Sequence, residues 1–194
     1  MDIELIDYSK NYLDILYLAG RGCHGLEFLT SETIELKKDF VKKLVLNKHE
    51  SVLEHGIISI FIKGCSRSFM SQLTRHRLVS FSVKSQHYVD YSDFEFKDLE
   101  TKNSKVNDLY EVMMEDINQM YKYFVQNCEI PIYVAREILP NSCLTNIFMT
   151  TNFREWRYII HLRQSLNNTP EIRDFTSKVL KIFNKIVPEV FEDL

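Results

Sequence analysis

Apolar positions along this chain recur mostly at spacings of three and four, the period of a helix with one buried face. Two such stretches open it, residues 9–19 and 31–47, the second carrying Ile34, Phe40, Val41, Leu44 and Val45 on one side. GIISIFIKG, residues 56–64, breaks that pattern: it is β-branched and aromatic, bounded by glycines and apolar on both faces, which predicts a strand covered on both sides. Ser66 then stands where it can cap a helix bearing Phe69, Met70 and Leu73. That helix is expected to run to Arg75-His76-Arg77, so that the cations fall in its last turn. A shorter strand is expected at 85–89. Val106, Leu109, Met113, Ile117, Met120 and Phe124 predict a long amphipathic helix over 104–127, with this stripe facing the core. EIPIYVAREILPN reads as a short helix stopped before Pro140, and NFREWRYIIHLRQ as another. Thr169 before Pro170 marks a final helix start, since proline suits the first helical position and threonine can cap it. There are no repeats, low-complexity tracts or linkers. The elements add up to a single α+β domain, residues 1–194, helix-rich around a small sheet.

Composition narrows the class. A length of 194 residues with 45% hydrophobic content suits one globular domain with an ample core. Lys+Arg number 24 against 27 Asp+Glu, a net charge of -3, so there is no electrostatic footprint for nucleic acid and any basic site is local. The four cysteines (Cys23, Cys65, Cys128, Cys143) form no CxxC pair, and the acidic start MDIELIDYSKN lacks a signal-peptide core. A reduced, cytoplasmic protein is expected. The apolar run GIISIFI is far too short for a bilayer, which asks for about 20 residues.

The chemistry gathers around TRHRLVSFSVKSQHYV, residues 74–89. A basic triplet at a helix end ordinarily satisfies the last carbonyls. Here other donors accompany it: Gln72 one turn earlier, and Ser85, Gln86 and His87 beyond an apolar run. Such a set suits a polyanion that carries a planar polar ring, because arginine forks bind phosphate in bidentate fashion and fixed donors hold negative charge on ring carbonyls. The basic segment 63–84 is a poor nucleic-acid surface, being diluted by apolar residues with few stacking aromatics. His49, His55 and His76 match no common zinc spacing, so no metal is expected. Tyr88 and Tyr91 read as half-buried packing residues. The five glycines form no GxGxxG, so a dinucleotide's pyrophosphate would have to be met by side-chain cations.

RHRLVSFSVKS resembles the signature of the flavin-dependent thymidylate synthases, Arg-His-Arg, seven residues, then Ser, with Arg75, His76, Arg77 and Ser85 in the matching places. The likeness extends through His49, Ser51, Glu54, His55 and Gln72 before the signature. Downstream, AREILPN is similar to an Ala-Arg-x-x-Leu-Pro block and NFR to an Asn-x-Arg motif, giving Arg136, Asn152 and Arg154, while HLRQ supplies Arg163. AGRGCHG is a looser match near the start.

The resemblance implies an α+β fold around a small, mostly antiparallel sheet, assembled as a homotetramer whose active sites draw on more than one subunit. It implies reductive methylation of dUMP to dTMP, with FAD as cofactor, methylenetetrahydrofolate as carbon donor and NADPH as reductant. By resemblance, Ser51, Arg75, His76, Arg77, Asn152 and Arg154 contact FAD, and His49 lies near the flavin. Gln72, Arg75, Ser85, His87, Arg136 and Arg163 hold dUMP. Arg163 and Ser85 serve the chemistry itself: a cation beside the uracil carbonyls stabilises enolate-like charge, while Ser85, with no base beside it in the motif, positions rather than attacks. None of the cysteines sits in a motif like that of the thymidylate synthases that use a thiol. Three positions depart from the pattern. His87 stands where arginine is common, Val83 where Glu or Gln is common, and NTPEIR, 168–173, replaces Ala-Gln-x-Glu-Ile-Arg. The last departure keeps a second product open, 5-hydroxymethyl-dUMP.

Overall fold

The computed structural model describes residues 1–25, 32–99 and 101–194. Its elements are β1 (Asp2–Tyr8), α1 (Tyr12–Gly22), α2 (Ile34–Leu46), a 3-10 helix (Glu50–His55), β2 (Ile57–Ser66), α3 (Arg67–Leu73), β3 (Ser80–Val83), α4 (Ser104–Gln126), α5 (Ile132–Ala135), a second 3-10 turn (Arg136–Ile138), β4 (Leu144–Asn152), α6 (Phe153–Arg163), α7 (Pro170–Ile186) and α8 (Pro188–Phe191). The class is α+β, 53% of the described residues being helical, with an antiparallel sheet in the order β1-β2-β4-β3. The chain forms two compact units: residues 1–2, 62–75 and 82–147, and residues 3–61, 76–81 and 148–194. None of the described helices is long and apolar enough to cross a membrane.

In the second unit Trp156, Phe153, Phe175, Phe183 and Phe191 are fully buried with Leu16, Leu53, Ile58 and Ile60. Their rings meet edge-on, Tyr12 on Phe153 and Phe153 on Phe191 at about 6 Å, Trp156 on Phe183 at 4.9 Å. Trp156 Nε1 donates to Ile58 O (3.2 Å), so the one polar atom of the largest core ring is satisfied. Gly20 lets α1 lie on α2, since a Cβ there would be 2.7 Å from the Phe40 ring. The expected start of α2 at Ser31 falls outside the described residues. In the first unit Tyr91, Phe94, Tyr121, Ala135 and Cys143 form the core.

Several expectations are corrected. α3 ends at Leu73, because the Thr74 hydroxyl donates to Met70 O (2.9 Å) and the turn closes there. The Arg75–Arg77 cations therefore lie past the helix rather than in its last turn. The strand expected at 85–89 is a turn: Ser85 Oγ accepts from His87 N (3.1 Å), an arrangement that bends the chain, and the strand lies earlier, at β3. β2 is fully covered on one face only, Ile58, Ile60 and Ile62 being buried while on the other Ser59 and Phe61 are half-buried and Ile57 and Lys63 exposed. The largest difference is α4. Met114 and Tyr121 point inward with Ile117 and Phe124 partly covered, whereas Val106, Leu109, Met113 and Met120 are exposed. The helix is rotated so that four of the six residues of its apolar stripe face out. Ser66 caps α3 as expected, accepting from Phe69 N (2.9 Å). Thr169 and Pro170 start α7, but the threonine side chain makes no cap bond.

Candidate active site

The motif residues fall into two groups, one in each unit. In the second unit, His76 follows α3 and is buried (5% exposed), while Arg77 is exposed beside it in sequence. His76 Nε2 accepts from Arg163 Nε (3.1 Å), and its Nδ1 lies 3.3 Å from Glu155 Oε1. The Tyr158 ring stands edge-on at 5.8 Å. Burial, then the charge of Arg163, pushes the His76 pKa down to about 4, so at neutral pH the imidazole is neutral and its contact with Glu155 is not an ion pair. Burial likewise pushes the Glu155 carboxyl upward, with Arg154 opposing. A neutral imidazole that accepts at Nε2 carries its proton at Nδ1, the nitrogen that lies 3.3 Å from Glu155 Oε1. The result is a chain of contacts from Glu155 through His76 to Arg163.

The start of α6 explains why these groups meet. Asn152 is its N-cap, with Oδ1 accepting from Glu155 N (2.8 Å). That bond fixes the first turn and with it Arg154 and Glu155. Arg154 Nη1 reaches Glu54 Oε1 at 2.6 Å and its Nε lies 3.7 Å from Glu50 Oε2, both on the 3-10 helix that also carries exposed Ser51. Each partner is about half exposed, and such solvated surface pairs contribute little, so Arg154 can exchange them for a phosphate at small cost. At the other end of α6, Arg163 Nη1 donates to Asn168 Oδ1 (3.5 Å), the first residue of the NTPEIR departure. Arg157, a residue without an assigned role, forks onto Asp193 (2.5 and 2.7 Å) and pins the C-terminal turn.

In the first unit, Gln72 lies on α3 half-buried and Arg75 is exposed just past it. Ser85 is half-buried, its Oγ accepting from the His87 backbone N–H. His87 is exposed; its ring stacks on Tyr133 (5.3 Å, 26°) and meets Tyr88 edge-on at 4.6 Å. Tyr133 is on α5, one turn before Arg136, which is half-buried with Nε 3.6 Å from Glu137. This joins the Ser85–His87 turn to the Arg136 segment. Neither tyrosine is half-buried as expected: Tyr91 is buried and Tyr88 is 81% exposed. Burial pushes the Cys143 thiol up to about 11, so it is protonated at neutral pH and no thiolate nucleophile forms there.

Sequence reasoning missed Glu155 and Tyr133. The signal for Glu155 was present, since Asn-x-x-Glu before an apolar run is a capping pattern that puts the glutamate in the first turn. Nothing local pointed to Tyr133.

A model of the thymidylate synthase complementing protein family matches residues 4–189. The chain is similar to the flavin-dependent thymidylate synthase of Nitratidesulfovibrio vulgaris, 30% identical over 207 residues that cover 97% of this chain and 84% of the relative. It is similar to that of Geobacter sulfurreducens, 29% identical over 100% of this chain and 86% of the relative. Among solved structures it matches a flavin-dependent thymidylate synthase of Helicobacter pylori, complexed with FAD and dUMP, with a TM-score of 0.82 and 24% identity over 100% of this chain and 99% of that one.

Proposed function

The chain belongs to the family of flavin-dependent thymidylate synthases, and from that premise we propose that it converts dUMP to dTMP by reductive methylation, with FAD, methylenetetrahydrofolate and NADPH. The observation that carries the residue-level reading is the Glu155–His76–Arg163 chain, which ties a residue of the signature to the arginine carried over as the dUMP-facing cation. The donor set fits the cofactor. Arg75, Arg77 and Arg154 are exposed guanidiniums, and Ser51 and Asn152 add a hydroxyl and an amide. No glycine-rich loop exists to bind phosphates through backbone N–H groups, so cations must meet the pyrophosphate. His76 Nε2 accepts from Arg163 and its Nδ1 lies 3.3 Å from Glu155, so the imidazole does not bond FAD directly. Bound FAD supplies the hydride chemistry.

The remaining work falls to this chain's own residues. Arg75, Arg136 and His87 meet the dUMP phosphate, Gln72 and Ser85 orient the nucleotide, and Arg163 holds charge on the uracil carbonyls as it develops. The exposed apolar face of α4, with Leu109, Val112, Met113 and Met120 each more than half exposed, supports self-association into the family's tetramer. We read residues 1–194 as one functional domain, the chain passing between its two units five times, at 2/3, 61/62, 75/76, 81/82 and 147/148. Four unpaired cysteines favour a reducing, cytoplasmic setting.

Purified protein should show oxidised-flavin absorption that NADPH bleaches and air restores. With dUMP and methylenetetrahydrofolate it should yield dTMP, identified by mass. Arg163→Ala should cut turnover about a hundredfold or more, as loss of one oxyanion-type donor does, while flavin content changes little. Hydroxymethyl-dUMP as the main product would replace this reading with the second one. Protein that cannot be loaded with FAD would remove both.

A further inference from the structure

Two of the groups that hold Arg163 do not themselves touch substrate or cofactor. Its Nε donates to His76 Nε2 at 3.1 Å, and its Nη1 to Asn168 Oδ1 at 3.5 Å. Neither acceptor is free to turn. Asn168 Nδ2 donates to Leu162 O (3.0 Å) and Ser165 O (3.2 Å), so its amide orientation is set by two carbonyls and its Oδ1 is left aimed at the guanidinium. His76 is buried, with Glu155 Oε1 3.3 Å from Nδ1 and Tyr158 against its ring. Glu155 is itself buried, at 8% exposure, and anchored through its backbone N–H to Asn152.

We propose that Glu155 and Asn168 are positioning residues for this reaction. Glu155 fixes the tautomer of His76, so that Nε2 stays an acceptor, and His76 and Asn168 together set the plane of Arg163. The inference rests on the reading of Arg163 as the cation beside the pyrimidine. The physical reason is geometric. A guanidinium on a long side chain stabilises developing charge only when its plane is fixed beforehand, and acceptors at both Nε and Nη1 prevent rotation about the last two bonds. With the other tautomer, Nε2–H would face the Arg163 Nε–H donor to donor, and the contact would be lost. Groups that orient a working residue in this way typically matter about 10–100-fold when removed.

The first test needs neither variant nor substrate. Nitrogen-15 NMR of histidine-labelled protein at pH 7 should show His76 neutral and protonated at Nδ1; protonation at Nε2, or on both nitrogens, overturns the proposal. The second is kinetic. Glu155→Gln should lower kcat about tenfold, with flavin content and the KM for dUMP changing less than twofold, and Asn168→Ala should lower kcat by a smaller factor. In an Arg163→Ala background, Glu155→Gln should cost less than twofold, because its effect runs through Arg163. An equal loss in both backgrounds, or full activity in Glu155→Gln, would sink the idea. These results are separable from the functional reading, since wild-type protein that makes no dTMP defeats that reading, whereas active wild type with indifferent variants defeats only this one.

Discussion

Acidification should destabilise this protein through His76. Burial and the neighbouring Arg163 hold its pKa at about 4, against 6.5 for the unperturbed side chain. The unfolded chain therefore takes up a proton between these values that the folded chain refuses. Stability is at its full value above pH 6.5, falls as the pH drops, and has lost the whole contribution below about pH 4. The gap between 6.5 and 4 limits the loss to about 3 kcal/mol, of which about 2 kcal/mol is gone by pH 5. Glu155 acts in the opposite sense, because burial raises its pKa and the folded state binds protons there more readily in acid. A variant that cannot titrate at position 76 separates the two. Urea unfolding of wild type and His76→Gln, followed by fluorescence of the fully buried Trp156 at one protein concentration, measures the difference in stability at pH 7 and pH 5. The wild-type advantage should shrink by about 2 kcal/mol between the two pH values. A pH-independent difference would refute the burial argument, whatever the absolute stabilities.

Two further outcomes follow from packing. Gly56 sits against the Phe153 ring, and a Cβ there would lie 2.2 Å from it, so Gly56→Ala should destabilise by about 1–3 kcal/mol, read as a lower melting temperature; an unchanged melt would mean that Phe153 can move aside. On α4, Leu109→Glu with Met113→Glu should reduce the mass measured by light scattering while leaving the helical content intact, because both residues are exposed in the single chain; an unchanged oligomer would place the assembly surface elsewhere.

The helices were legible because periodicity is a local property. α4 runs over Ser104–Gln126 against an expected 104–127, and α6 and α7 start where their capping residues stand. What periodicity cannot say is which neighbour an apolar face meets. The α4 stripe is real, but only the side carrying Met114 and Tyr121 is covered within the described chain. β4 was not expected as a strand. LTNIFMTTN alternates perfectly in burial, yet two of the four positions on its buried face are threonines, Thr145 and Thr151. Their hydroxyls donate to Lys84 O (3.5 Å) and Leu78 O (2.7 Å), so polar residues sit inside at no cost in unmet hydrogen bonds. A pattern of hydrophobicity alone does not record that arrangement.

The site divides along the same line. The types and spacing of Arg75, His76, Arg77 and Ser85 were visible, but the motif presents His76 as one cation among three. The fold buries it and makes it a neutral acceptor for Arg163, 87 residues away in sequence. Contacts over that separation depend on where α6 packs, and no local pattern specifies it. Asn168 is the reverse case, only five residues from Arg163 and already visible as a departure. Its physical consequence is that the turn after α6 can re-aim Arg163 without altering any residue of the signature. Variation of reaction outcome among related chains is then most economically sought in residues 165–168, where the Asn168 amide oxygen helps to hold Arg163, and not in the arginine-rich motif that identifies them.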